Sequence, residues 1–85
     1  MTFLAKVYVT PRKSVLDPQG KAVAGALHSL GYAEVEDVRV GRFMEVRVAG
    51  GDRQAASTRV DEMCRRLLAN GTIEDYRFDL EEARA

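Results

Sequence analysis

Four segments of the chain alternate apolar and polar residues with the period of a β-strand, and two segments repeat apolar residues with the period of a helix. The strand-like segments are rich in β-branched and aromatic residues and cover residues 2–10, 35–40, 43–48 and 73–80. One helical segment lies between the first two of these, and the other lies between the last two. The sequence therefore predicts the order β-α-β-β-α-β, which leaves few possible topologies.

Each predicted helix begins at an aspartate, whose side chain can accept a hydrogen bond from a free backbone N–H at the N-cap position. Asp17 precedes Pro18, a residue suited to the first helical position, and the first helix spans about residues 18–30. Its apolar stripe consists of Val23, Ala26, Leu27 and Leu30. Asp52 caps the second helix, which is predicted to end at Asn70-Gly71 in a left-handed turn. The apolar face of this helix consists of Ala56, Val60, Met63, Cys64 and Leu67.

Gly41-Arg42 separates the two middle strands and suits a tight hairpin with a positive φ at the glycine. Two right-handed crossovers joined by this hairpin predict an α+β fold of the ferredoxin-like type, with a four-stranded antiparallel sheet and both helices on one face. Residues 1–85 are too few for two cores, so we expect a single domain. We expect the charged tail, residues 81–85, to fray.

The sheet face opposite the helices is predicted to be uncovered and partly apolar. Its side chains include some of Leu4, Tyr8, Phe43 and either Tyr76 and Phe78 or Ile73. A formal net charge of zero does not oppose self-association, and so small a domain buries only part of its apolar surface. We therefore expect a homodimer or a dimer of dimers, with sheets packed face to face.

The charge balance disfavours some classes of partner. Thirteen Lys and Arg residues match thirteen Asp and Glu residues, so no overall positive field gathers nucleic acid or an anionic membrane surface. The apolar runs are far shorter than the roughly 20 residues that cross a bilayer, and the start lacks the apolar core of a signal peptide. We therefore expect a cytoplasmic protein without nucleic-acid or membrane partners.

The residues that usually carry catalysis are sparse. The single histidine, His28, lies outside the apolar stripe of the first helix and is expected to face solvent. The single cysteine, Cys64, cannot form an internal disulfide and is expected to be a buried, inert thiol. The acidic clusters around Glu34 and Glu74 are expected to be solvated. We predict no catalytic residue, cofactor site or metal site in this chain.

Three functions can be weighed against the predicted fold from the residues alone. A small-ligand-binding regulatory module, with its ligand held between protomers, is the main alternative. In an acylphosphatase-like enzyme, Arg12-Lys13-Ser14 would hold a phosphate, but the loop lacks the glycines that let backbone N–H groups converge on an anion. RNA recognition on the sheet is disfavoured, because the strand around Phe43 lacks a glycine-rich aromatic signature.

Four segments together resemble the PurS family, the small subunit of the multi-subunit phosphoribosylformylglycinamidine synthase of purine biosynthesis. They are Lys6-Val7-Tyr8-Val9, Val15-Leu16-Asp17-Pro18-Gln19-Gly20, Val38-Arg39-Val40-Gly41-Arg42, and Leu68-Ala69-Asn70 with Ile73-Glu74-Asp75-Tyr76. The resemblance covers essentially the whole chain. It implies a non-catalytic subunit of a ligase complex that turns formylglycinamide ribonucleotide into the amidine.

The resemblance also implies the partners. A glutaminase subunit frees ammonia, a large synthetase subunit activates the substrate amide with ATP, and the small subunit bridges the two. ATP, Mg and glutamine are then used by the partner subunits, and the isolated chain is expected to have no turnover. We expect the docking contacts to come from Asp17, Gln19, Gly20, Gly41, Arg42, Asn70 and Glu74.

Overall fold

The computed structural model describes residues 1–83 and contains three strands, two α-helices and one π-helical turn. The strands are β1 (Thr2–Pro11), β2 (Arg42–Ala49) and β3 (Glu74–Ala83). The helices are α1 (Pro18–Ser29) and α2 (Arg53–Met63), and α2 continues into a π-helical turn over Cys64–Leu68. Most of the predicted elements therefore form close to their predicted bounds.

The sheet is antiparallel, with β1 in the centre and the order β2-β1-β3. Alternate side chains of a strand point to the same face of a sheet, and those of β1 at Phe3, Ala5, Val7 and Val9 are buried on the inner face. Val60 and Cys64 pack on this face from α2 and the π-helical turn. The half-buried inner side chains of the outer strands are Met44, Val46, Val48, Tyr76, Phe78 and Leu80. The core therefore lies between β1 and α2.

The predicted strand over residues 35–40 does not form, so the four-stranded sheet and the hairpin at Gly41-Arg42 are both wrong. The Val40 N–H donates to Asp17 Oδ2 at 2.9 Å, and the Val38 carbonyl lies against Gly20. The segment therefore runs along the start of α1, and its backbone does not join the sheet. Gly41 has no positive φ.

The prediction that both helices cover one face of the sheet is also wrong. Gly20 is the only buried residue of α1, and Leu30 just beyond it is 73% exposed. The described chain measures 49 × 28 × 14 Å and has a radius of gyration of 16.4 Å. A compact chain of this length has a radius of about 12 Å. α1 thus extends away from the core with its apolar stripe uncovered.

The outer face of the sheet carries charged pairs. Lys6 binds Glu81, and the Arg77 guanidinium lies 4.0 Å from the centre of the Tyr8 ring. Tyr76 and Phe78 lie on the inner face, in register with Val9 and Val7. The apolar part of the outer face is therefore smaller than predicted and consists of Leu4, Tyr8 and Phe43.

The tail is more ordered than predicted. Glu81, Glu82 and Ala83 continue β3 opposite Leu4, Phe3 and Thr2, so these three residues do not fray. Arg84 and Ala85 lie outside the described residues. Within residues 1–83, no helix is long and apolar enough to cross a membrane.

Candidate functional site

The predicted docking residues form two clusters close to the carboxyl end of β1. The first, the helix-start cluster, contains Asp17, Gln19 and Gly20 at the beginning of α1. The second, the strand-end cluster, contains Arg42, Asn70 and Glu74 near the adjoining ends of β2 and β3. Gly41 directly precedes β2.

The helix-start cluster is organised by Asp17. Its Oδ1 accepts from the Gly20 N–H and its Oδ2 accepts from the Val40 N–H, both at 2.9 Å. These two bonds lower the pKa of Asp17 below its ordinary value, because both favour the charged carboxylate. The predicted N-cap role is confirmed, and the second bond adds a tie to residues 38–40.

Glycine is required at two positions of this region by close backbone approach. A β-carbon at Gly20 would overlap the Val38 carbonyl oxygen. A β-carbon at Gly41 would overlap the Val9 carbonyl oxygen in the same way. The glycine in the first turn of α1 therefore serves this chain's own packing. Gln19, in contrast, is exposed, and its side chain makes no hydrogen bond within residues 1–83.

In the strand-end cluster, Arg42 Nη2 donates to Glu74 Oε1 at 2.6 Å and to the Leu68 carbonyl at 3.1 Å. The Asn70 N–H donates to the same Glu74 oxygen at 2.8 Å. Asn70 Oδ1 accepts from the Thr72 N–H at 3.1 Å, so an Asx turn follows the π-helical turn. Neither Asn70 nor Gly71 has a positive φ, so the predicted left-handed turn is wrong.

Neither the histidine nor the cysteine of the described residues forms a nucleophile–base pair with another side chain. His28 is exposed, as predicted, and its Nε2 lies 2.7 Å from the Val35 carbonyl. Cys64 is fully buried, as predicted, and burial raises the pKa of its thiol. Arg12 donates to the Gly71 carbonyl and pairs with Asp75 at 3.5 Å, so its guanidinium binds groups of this chain and is not directed at a phosphate. Residues 1–83 contain no group of three His, Cys, Asp or Glu that could hold a metal ion.

A groove that the hydrophobic periodicity does not predict runs between α2 and β2. It consists of two adjoining cavities of about 340 and 390 Å³ that share Arg59 and Met63. Its apolar lining is Val46, Val48, Ala55, Met63, Leu67 and Leu68. Leu67 was predicted on the buried face of the helix, but it is 81% exposed on the π-helical turn. We call this surface the α2–β2 groove.

The family model of PurS, described as phosphoribosylformylglycinamidine (FGAM) synthase, matches residues 4–82 of the chain. The chain belongs to the PurS family. It is 54% identical over 80 residues to the phosphoribosylformylglycinamidine synthase subunit PurS of Bacillus subtilis, covering 94% of each sequence.

Solved structures of PurS proteins share the fold. PurS of Thermus thermophilus has a TM-score of 0.88 at 35% identity, covering 99% of this chain and 100% of that one. A chain in the structure of PurLQS from Thermotoga maritima has a TM-score of 0.86 at 25% identity, with 95% and 99% covered. The predicted PurS family and role as an FGAM synthase subunit in purine biosynthesis are confirmed.

Proposed function

We propose that this PurS chain is the non-catalytic assembly subunit that bridges the glutaminase and the ATP-dependent synthetase of FGAM synthase. The likeness to a chain of the PurLQS structure carries this proposal, because that structure joins a PurS protein to two other subunits. ATP, Mg and glutamine are bound by the partners in this scheme, and the complex acts in the cytoplasm.

The chemistry explains why a bridging subunit is useful. Ammonia released by a glutaminase is protonated and diluted if it reaches bulk water. Docking the two enzymes closely keeps the ammonia at a high effective concentration and excludes solvent from its route. A subunit that is 49 Å long and only 14 Å thick can contact two neighbours at once.

Gln19 is the predicted docking residue best suited to a test, because its exposed side chain has no partner within residues 1–83. In the complex reconstituted from all subunits, we expect Gln19→Ala to slow amidine formation from glutamine severalfold. Formation from added ammonia should change less, since it does not need the glutaminase. The free energy of unfolding of the chain should change by no more than about 0.5 kcal/mol.

The control is Gln54→Ala, which removes the same side chain from an exposed position on α2. Gln54→Ala should leave both reactions unchanged. A wild-type glutamine-dependent rate in Gln19→Ala would show that Gln19 is not a docking residue. An unchanged rate when the PurS chain is omitted altogether would overturn the bridging role itself.

We further propose that the chain forms a homodimer or a dimer of dimers, with α1 of one copy packed in the α2–β2 groove of another. The uncovered stripe of α1 includes Val23 at 42% and Leu30 at 73% exposure. Apolar residues line much of the groove, beside the charged Arg59, Glu62 and Arg66. The twelve residues of α1 span about 18 Å, so the stripe extends over about three helical turns. Reciprocal exchange around a twofold axis buries both stripes and closes the assembly.

Leu27→Glu tests this arrangement, because it places a charge in the middle of the stripe. Light scattering on a sizing column at micromolar concentration should find a dimer or tetramer for the wild type and a monomer for the variant. The control Ser29→Glu adds the same charge outside the stripe and should keep the wild-type mass. A monomeric wild type, or a Leu27→Glu variant with the wild-type mass, contradicts the proposal.

A further inference from the structure

We propose that a cleft beside the start of α1 binds the phosphate group of a small phosphorylated metabolite. The cleft has a volume of about 540 Å³ and lies between the loop that precedes α1 and residues 37–39. Its cations are Lys13, Lys21 and Arg39, which come from three separate parts of the sequence. The loop Arg12-Lys13-Ser14 contributes Lys13 and Ser14 to the lining, and no local motif predicts Lys21 and Arg39 beside them.

The three cations are not neutralised by ion pairs. None of them forms one within residues 1–83, whereas Lys6, Arg12 and Arg42 each pair with a carboxylate. The Nη2 atom of Arg39 is fully buried and has no hydrogen-bond partner. A buried guanidinium N–H without an acceptor carries an uncompensated desolvation cost. A ligand oxygen could accept the hydrogen bond that this chain does not provide.

The two carboxylates of the cleft offset only part of this positive charge, although the charge of Arg39 contributes to the lowered pKa of Asp17. Asp17 directs both oxygens to the backbone N–H groups of Gly20 and Val40. Asp37 is exposed and forms no ion pair with the cleft cations. Three cations and two carboxylates leave a net charge of +1 in the cleft.

The size and lining of the cleft favour a phosphate monoester over a bare ion. The volume lies within the range of roughly 300 to 1,000 Å³ that is typical of small-ligand sites and exceeds the needs of a single phosphate. Arg39 can bind two phosphate oxygens through its planar fork, and the lysines add point charges. Val15, Leu16 and Val38 provide an apolar wall for the uncharged body of the ligand.

Titration of the full chain with ribose 5-phosphate, followed by NMR, tests the proposal without the other subunits. The amide shifts of residues 13–21 and 37–39 should move with the phosphate ester, and neither ribose nor inorganic phosphate should bind as tightly. Arg39→Gln and Lys21→Gln should each weaken binding about tenfold, the range of one charge-assisted contact. The control Arg66→Gln removes a charge from the π-helical turn and should keep the wild-type affinity.

Three results would overturn the proposal. The first is an absence of shifts in the cleft, which would show that it does not take a phosphate ester. The second is equal affinity in wild type, Arg39→Gln and Lys21→Gln. The third is binding of inorganic phosphate or ribose as tight as that of ribose 5-phosphate. Since the readout is binding to the chain alone, none of these results affects the bridging role.

Discussion

Asp17 uses both carboxylate oxygens, and each one fixes a different part of the backbone. One oxygen caps α1 through the Gly20 N–H, and the other holds residues 38–40 through the Val40 N–H. The cap follows from local spacing and was predicted. The second bond spans 23 residues and could not be predicted, because nothing in the local pattern near Val40 indicates its donor role.

Asp17 should make the stability of the chain depend on pH in the acidic range. Its pKa in the folded chain is lowered by the two backbone hydrogen bonds. The carboxylate therefore stabilises the fold above its ordinary pKa of about 3.9, and this contribution is lost as pH falls through the folded value. We expect Asp17→Asn to lower the urea midpoint clearly at pH 7 and by a smaller amount at pH 3, where the stabilising contribution has begun to decline.

Asp37→Asn is the matched control for this comparison. It removes the same charge from an exposed carboxylate that accepts no hydrogen bond within residues 1–83. Its effect on the urea midpoint should be smaller than that of Asp17→Asn at pH 7. A difference between wild type and Asp17→Asn that stays equal at both pH values contradicts the assigned role of the two hydrogen bonds.

The two glycines of α1 should respond oppositely to alanine. A β-carbon added at Gly25 would meet no heavy atom within 4 Å, so Gly25→Ala should stabilise the helix by about 0.5 to 1 kcal/mol. At Gly20 the added methyl group would overlap the Val38 carbonyl, so Gly20→Ala should destabilise by about 1 to 3 kcal/mol. Urea unfolding measures both changes, and equal effects of the two substitutions would refute the close approach at Gly20.

At the scale of elements, hydrophobic periodicity located β1, both helix starts and the last two strands. It failed at residues 35–40, because alternation indicates an extended backbone and does not say what the backbone pairs with. Those residues bind the start of α1 through Val40 and lie against Gly20. The structure brings Arg42, Asn70 and Glu74 together in the strand-end cluster, where their contacts also hold the fold together. Its role in docking stays a prediction.

The link between Arg42 and Glu74 ties β2 to β3 outside the hydrogen-bonded ladder. Glu74 is only 18% exposed in its side chain and also accepts from the Asn70 N–H. A double-mutant cycle with Arg42→Ala and Glu74→Ala should give a coupling energy of about 0.5 to 1 kcal/mol, the upper part of the range for partly exposed pairs.

The pair Arg77 and Asp79 is the control for this cycle, since both side chains are more than 60% exposed and lie 3.5 Å apart. Its coupling should be the smaller of the two. A cycle with no coupling would show that the contact between Arg42 and Glu74 does not stabilise the chain. The two side chains would then have no structural role through this contact.

At the scale of the whole molecule, the chain is more extended than a compact domain of its length. Its radius of gyration of 16.4 Å and its uncovered α1 stripe leave apolar surface that a second copy can bury. The sequence predicted an oligomer from an uncovered sheet face. That face is largely charged, and the exposed apolar surface lies along α1 and the α2–β2 groove instead. Periodicity identified the stripe of α1, but it could not indicate whether the stripe covers its own sheet.

If a second copy covers α1, unfolding is coupled to dissociation, and the melting temperature must rise with protein concentration. A tenfold increase in concentration adds about 1.4 kcal/mol per dimer, which corresponds to about 4 °C for roughly 170 residues. Leu27→Glu should melt at a lower temperature that does not change with concentration, while Ser29→Glu should keep the wild-type slope. Scanning calorimetry over a hundredfold range gives the slope directly, and a wild-type melting temperature that stays constant over that range shows that α1 is stable without a second copy.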